Sequence, residues 1–209
     1  MLKQTLTISA VVALLTVGSM ADNEHRGYGR HHGGNHSQQH QGQGWRGNGN
    51  GNGNFNSSTT QEGDVQLSDA QKEDLLFMIE EEKVARDVYL HLSAKWGDRV
   101  FANIARAEQK HMNAVERLAN QSGVTVPSTL TEEGIFIDEK LQKMYNDLIA
   151  KGEKSLRDAY LVGVLVEETD IDDLENLLED ETISSSAKQV YSNLLRGSQN
   201  HLRAFNRRL

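Results

Sequence analysis

From Leu67 onward apolar residues recur every three to four positions, the period of an amphipathic helix, and no segment alternates as a half-buried strand does. Ser68 followed by Gln71 carries the capping-box signature, and Gly97 is a stop, so a first helix is predicted over about 69–96. A second is predicted over about 99–121, ending before Gly123 and Pro127. After a loop comes a short helix, DEKLQKMYNDLIAKG, closed by Gly152. Ser155 caps a third long helix, LRDAYLVGVLVEETDIDDLENLLE, and a fourth starts near Ser185 and reaches Arg207. Four long amphipathic helices with modest connections predict an all-α four-helix bundle, with the short helix lying between the second and third long ones. That connection is long enough to cross the bundle instead of making a tight hairpin.

Each long helix breaks its apolar stripe with metal-ligand chemistry. In the second, Phe101, Ile104, Val115 and Leu118 mark a stripe that runs through Glu108 and His111. In the first, Leu75, Met78, Ile79, Tyr89 and Leu92 mark the inner face, and Glu82 falls on it. Glu80 and Glu81 fall off it and are expected in solvent. The third helix sets Glu167 and Asp170 among Leu156, Tyr160, Gly163, Leu174 and Leu178. The fourth sets Ser198 and His201 among Tyr191, Leu194 and Phe205. Glu82, Glu108, His111, Glu167, Asp170 and His201 therefore all point inward by phase.

Burying several carboxylates together is costly unless their charge is compensated. Two divalent ions would balance four carboxylates, with two neutral imidazoles completing the shells. Oxygen and imidazole donors without thiolate suit iron or manganese, and zinc as well. Each residue also has an ordinary reading. Glu82 could pair with Arg86 at the surface. Glu167 and Asp170 could belong to the acidic run 167–181, whose Asp172, Asp173, Glu175 and Glu179 are expected on a solvated face. A lone His on an apolar stripe is more often a core histidine than a ligand. Agreement in phase of six positions on four helices favours one shared site.

Residues 1–21 read as a secretory signal peptide: Lys3 in the n-region, the apolar run ISAVVALLTVG, then Ser19 and Ala21 placed for cleavage after Ala21. The run is short for a bilayer span, so no stable membrane span is expected once it is removed; the alternative reading is an uncleaved membrane anchor. Residues 22–60 are Gly, Asn, Gln and His with hardly an aliphatic side chain, and are expected to form a disordered tether. Five of the eight histidines lie there (His25, His31, His32, His36 and His40); the tract could bind metal loosely or serve as a soluble spacer. The folded domain is expected over 61–209. There is no cysteine, so the domain must be held by its core or by a metal. With 30 acidic against 22 basic residues and no basic patch, nucleic acid is not an expected partner. The chain is expected in the periplasm or secreted, and a homodimer is compatible with it.

The stretch EKVARDVY, from Glu82 to Tyr89, resembles the first-helix motif of ferritins and rubrerythrins, and EQKH resembles the second-helix Glu-x-x-His of that superfamily, carried by Glu108 and His111. EEEKVARDVYL, FANIARAEQKHM, VEETDIDDLE and GSQNHLRAF together resemble an uncharacterised ferritin-like domain family of bacteria and archaea. The resemblance covers nearly all of residues 67–207. It implies a ferritin-like bundle and a dinuclear carboxylate site, most simply of iron, reacting with peroxide or oxygen. Tyr89 could assist electron transfer, or fill the core and hydrogen-bond a ligand. One departure matters: the fourth-helix Glu-x-x-His of the superfamily is here Ser198-Gln199-Asn200-His201, without the carboxylate. Asp170, one turn from Glu167, is the candidate to restore it; the alternative is a site with one full metal position and one weak one. The alternatives to an oxidoreductase are a protein that sequesters or senses metal and an interaction domain with a structural or vestigial site.

Overall fold

The computed structural model describes residues 67–209; the expected signal peptide and the whole of the expected tether lie outside them. Four long helices and one short one make up the described chain: α1 Asp69–Trp96, α2 Arg99–Gln121, α3 Glu139–Gly152, α4 Leu156–Leu178 and α5 Ser185–Asn206. A 3-10 turn, Ser128–Thr131, precedes α3, and no strand occurs among the described residues.

The ends of these helices follow from local chemistry. Ser68 Oγ accepts from Gln71 N while the Gln71 side chain accepts from Ser68 N, so two orphan amides are satisfied at once. Gly97, at φ 68°, turns the chain into the left-handed region and returns its N–H to Ser93 O, closing α1. Asp98, Asp138, Ser155 and Ser184 cap the other helices through their side chains.

The buried apolar residues fall into two clusters. One gathers the C-terminal half of α1 (Val84, Val88, Tyr89, Leu92), the start of α2 (Phe101, Ile104), α3 (Leu141, Leu148), the start of α4 and Phe205. The other gathers the start of α1 (Leu75, Met78, Ile79), the end of α2 (Val115, Leu118), the end of α4 (Leu174, Leu177) and the start of α5 (Tyr191, Leu194). Thus α1 and α5 run from the second cluster to the first, and α2 and α4 run the other way. The long-helix neighbours of α2 are α1 and α5, and those of α4 are the same two. The connection from α2 to α4 must therefore climb the length of the domain, as its expected crossing requires. It does so along α1, and α3 packs on α1 and α4.

That path changes the environment of α1. Every residue from Met78 to Tyr89 is buried, including Glu80, Glu81, Lys83, Arg86 and Asp87. Glu80 is not in solvent, as its helical phase suggests; Glu80 Oε1 accepts from Ile137 N at 3.0 Å. Asp87 accepts from Lys83 Nζ at 2.6 Å, Arg86 Nε at 2.7 Å and Gly134 N at 2.9 Å. Arg86 reaches Gln109 Oε1 and Leu130 O, and Lys83 lies 4.0 Å over the Phe136 ring. The outer face of α1 is a row of clasps that hold the connection down. Arg86 is committed to this cluster and does not pair with Glu82.

Candidate metal centre

A polar layer separates the two apolar clusters. Each long helix contributes to it at the point where its apolar residues change from one cluster to the other: Glu82 on α1, Glu108 and His111 on α2, Glu167 and Asp170 on α4, Ser198 and His201 on α5. Glu82, Glu108 and Glu167 are each 1 % exposed, so this layer is sealed from bulk water on its carboxylate side.

Glu108 is the centre of the layer. His111 Nδ1 lies 2.8 Å from Glu108 Oε2 and 3.3 Å from Glu82 Oε2. His201 Nδ1 lies 2.7 Å from Glu108 Oε1 and 3.5 Å from Glu167 Oε2. The two imidazole rings stack with centroids 5.5 Å apart. Two overlapping groups result, Glu82–Glu108–His111 and Glu108–Glu167–His201, each offering three ligand atoms within 4.8 Å of one another. Both groups use Glu108, one through each oxygen.

Tyr89 donates to Glu167 Oε1 at 2.7 Å and fixes that carboxylate from the side of the aromatic core, where its ring packs 5.2 Å from Phe205. Asp170 stands beside the two groups and belongs to neither. Its Oδ2 accepts a hydrogen bond from Ser198, and its Oδ1 has no hydrogen-bond partner. The residue that stands in place of the absent fourth-helix carboxylate therefore holds Asp170. Gly197 completes the fit: a Cβ there would fall 2.5 Å from His111 Cε1 and Nε2, so the imidazole fits against α5 only because that position lacks a side chain.

The charges explain what the layer needs. Among the described residues the buried basic side chains outside the layer are Lys83 and Arg86, and both are bound to Asp87. Burial alone would lower the two imidazoles, but the carboxylates close beside them raise His111 to about 11 and His201 to about 10. Burial works to raise Glu108 too, yet the two imidazoles outweigh it and bring it down to about 2. Glu82 and Glu167 are pushed up to about 8, by burial first. Burial, then neighbouring negative charge, also pushes Asp170 well up. Without metal, protons on these groups offset the charge, and Glu108 Oε1 and Oε2, His111 Nδ1 and His201 Nδ1 are left close together but without a well-directed hydrogen-bond partner. Carboxylate oxygens and two inward-facing Nδ1 atoms form a donor set that divalent cations could take over by displacing those protons.

Glu81 and Asp173 are not on the solvated faces expected for them. Glu81 is 5 % exposed and Asp173 1 %, whereas Asp172, Glu175 and Glu179 are exposed as expected. The signal was present in the spacing. Glu81 continues the row Met78, Ala85, and Asp173 the row Val166, Leu177, so both face the seam between α1 and α4. Runs of consecutive acidic residues concealed it.

The matched part of the chain, residues 71–209, fits the model of an uncharacterized protein domain, DUF2202. The chain belongs to this family. The DUF2202 domain accounts for almost all of the described residues, including every residue of the polar layer. The chain is similar to the uncharacterized protein MJ0754 of Methanocaldococcus jannaschii, at 45 % identity over 143 residues, spanning 68 % of this chain and 77 % of that protein. It is likewise similar to the crystal structure of the hypothetical protein MJ0754 from Methanococcus jannaschii, with a TM-score of 0.66, covering 68 % of this chain and 81 % of that one. The DUF2202 fold, all-helical over the described residues, is thus shared with an experimentally observed structure. Among the described residues no helix is long and apolar enough to cross a membrane.

Proposed function

We propose that this DUF2202 domain is a ferritin-like four-helix bundle that holds two divalent metal ions and uses them in redox chemistry with peroxide or oxygen. The observation that carries the reading is the sharing of Glu108 between His111 and His201, which makes two three-ligand positions meet at one carboxylate. One position is formed by Glu82, Glu108 and His111, the other by Glu108, Glu167 and His201. Iron is the first candidate and manganese the second, because carboxylate and imidazole donors suit both and both change oxidation state; zinc fits the same donors without redox activity. Bound as a pair, iron or manganese ions would supply two electrons to a peroxide or oxygen molecule.

The chain's own residues do the rest. Glu108 sets the distance between the two positions. Tyr89 fixes one oxygen of Glu167 and leaves the other facing His201. The aromatic cluster of Tyr89, Phe101 and Phe205 keeps water from that side. With a cleaved signal peptide the domain would work in the periplasm or outside the cell.

Elemental analysis of protein recovered from its native compartment tests the reading. Two iron or manganese ions per chain, together with peroxide consumption, are the expected results. Zinc without turnover would favour a metal-sequestering protein, and no metal would leave an interaction domain.

A further inference from the structure

Beside the polar layer, on the side of α3, lies a second group of buried carboxylates, formed by Glu81, Asp170 and Asp173. We propose that these three residues form an auxiliary, all-oxygen site for a third divalent cation, distinct from the two positions that share Glu108. The inference rests on the dinuclear reading only in that Asp170 faces both sites.

Glu81 is the decisive residue. It is 5 % exposed, yet neither of its carboxylate oxygens meets an amide, amine or hydroxyl donor. A buried carboxylate left without donors is rare in folded proteins and calls for a physical reason. Asp170 Oδ1 is in the same condition, and its other oxygen is held by Ser198. Glu81 and Asp170 line one small cavity in the seam between α1, α3 and α4, with Thr169 beside them and Val84, Met144 and Leu148 as its apolar wall. The Thr169 hydroxyl donates to Leu165 O at 2.9 Å, which leaves its lone pairs available as acceptors. Asp173, 1 % exposed, stands within hydrogen-bond reach of Glu81. The groups that act most strongly on Glu81, namely Asp173, Asp170 and Glu82, are all acidic.

The chemistry selects the occupant. Carboxylate and hydroxyl oxygens without imidazole favour a hard divalent cation. The apolar wall offers little to hydrate it, which favours manganese or ferrous iron over magnesium, an ion that gives up its water reluctantly. Glu81, Asp170 and Asp173 do not bring three ligand atoms within 4.8 Å of one another as the two histidine-containing groups do, so a cation there must draw them together and this site is the weaker one. A cation there would draw Asp170 Oδ1 away from the dinuclear layer.

Titration of metal-depleted full mature protein with manganese(II), with free manganese followed by electron paramagnetic resonance, is the test. The expected result is two tight ions and a third, weaker one. Glu81→Gln and Asp173→Asn should weaken the third ion by on the order of 10–100-fold while the tight pair is retained. A wild-type protein that binds only two ions, or a third ion unmoved by either substitution, would overturn the proposal. Because a buried substitution can disturb folding, crystals of the wild-type protein soaked in manganese give an independent answer. An anomalous peak between Glu81, Asp170 and Asp173 supports the site, and its absence at saturating manganese overturns it. Retention of a Glu81-dependent ion by a protein in which His111→Ala has no effect on metal content would support this site while refuting the dinuclear reading.

Discussion

His201 Nδ1 lies 2.7 Å from Glu108 Oε1, a contact between α5 and α2 across the interior of the domain. The other oxygen of Glu108 meets His111 at 2.8 Å. One carboxylate thus serves two positions, whereas Glu82 and Glu167 each serve one.

Unequal losses should follow from that asymmetry. Glu108→Ala should abolish binding of both tight ions, while Glu82→Ala or His111→Ala should remove one and leave the other. Metal content after desalting measures it. Equal stoichiometry in the Glu108 and Glu82 variants would mean that Glu108 does not bridge.

Gly197→Ala offers a probe that alters no ligand. Its new methyl would fall 2.5 Å from the His111 ring and push the imidazole off Glu108. Overpacking of this kind costs about 1–3 kcal/mol. The expected outcome is loss of the ion at Glu82–Glu108–His111 with retention of the one at Glu108–Glu167–His201. Calorimetric titration should show one tight site in place of two.

The pH dependence should change sign on metal loading. Glu82 and Glu167 rise from 4.5 to about 8 in the folded protein, and His111 and His201 from 6.5 to about 11 and 10. The metal-free native state therefore binds more protons than the unfolded chain between pH 5 and 9, and its stability falls as pH rises. Glu108, lowered to about 2, does not oppose this, because its contribution is lost only as pH falls below its ordinary 4.5. Metal must displace the same protons, so the stabilisation gained on adding metal grows over the same range. Thermal melts with and without chelator at pH 5.5 and 8.5 would show both trends. A melting temperature that rises with pH in the chelated protein would contradict the protonated layer.

The clasp on the outer face of α1 is a stability element independent of metal. Asp87→Ala leaves Lys83 and Arg86 buried without their shared carboxylate and frees Gly134 N. Removing one partner from such a buried cluster costs about 3–5 kcal/mol. Glu80→Ala should cost less, about 1–3 kcal/mol, through the lost acceptor for Ile137 N. Denaturant unfolding measures both, and the Glu80 variant should keep its full metal content.

A chain beginning at Gln61 should retain the helical circular dichroism and melting temperature of the mature protein, because residues 22–60 carry almost no apolar side chains to bury. A large fall in either would show that this segment packs on the domain.

The sequence by itself determined the helices, because their signals are local. The Ser68–Gln71 box, Gly97 and the caps at Ser155 and Ser184 act within one turn, and the expected limits of the helices agree with the observed ones to within a residue or so. Helical phase also sufficed to set Glu82, Glu108, His111, Glu167, Asp170 and His201 on the stripes that face inward, since the direction of a side chain from its own helix follows from spacing. Tertiary structure decided what phase cannot carry. Whether Glu80 meets water depends on what lies over α1, and that is the connection 122–138, which arrives from elsewhere in the chain. Whether Asp170 joins a triad depends on its reach and on the Ser198 hydroxyl, a contact between residues 28 apart in sequence. Periodicity gives the direction of a side chain from its own helix axis. The neighbour it meets there is fixed only when the helices pack.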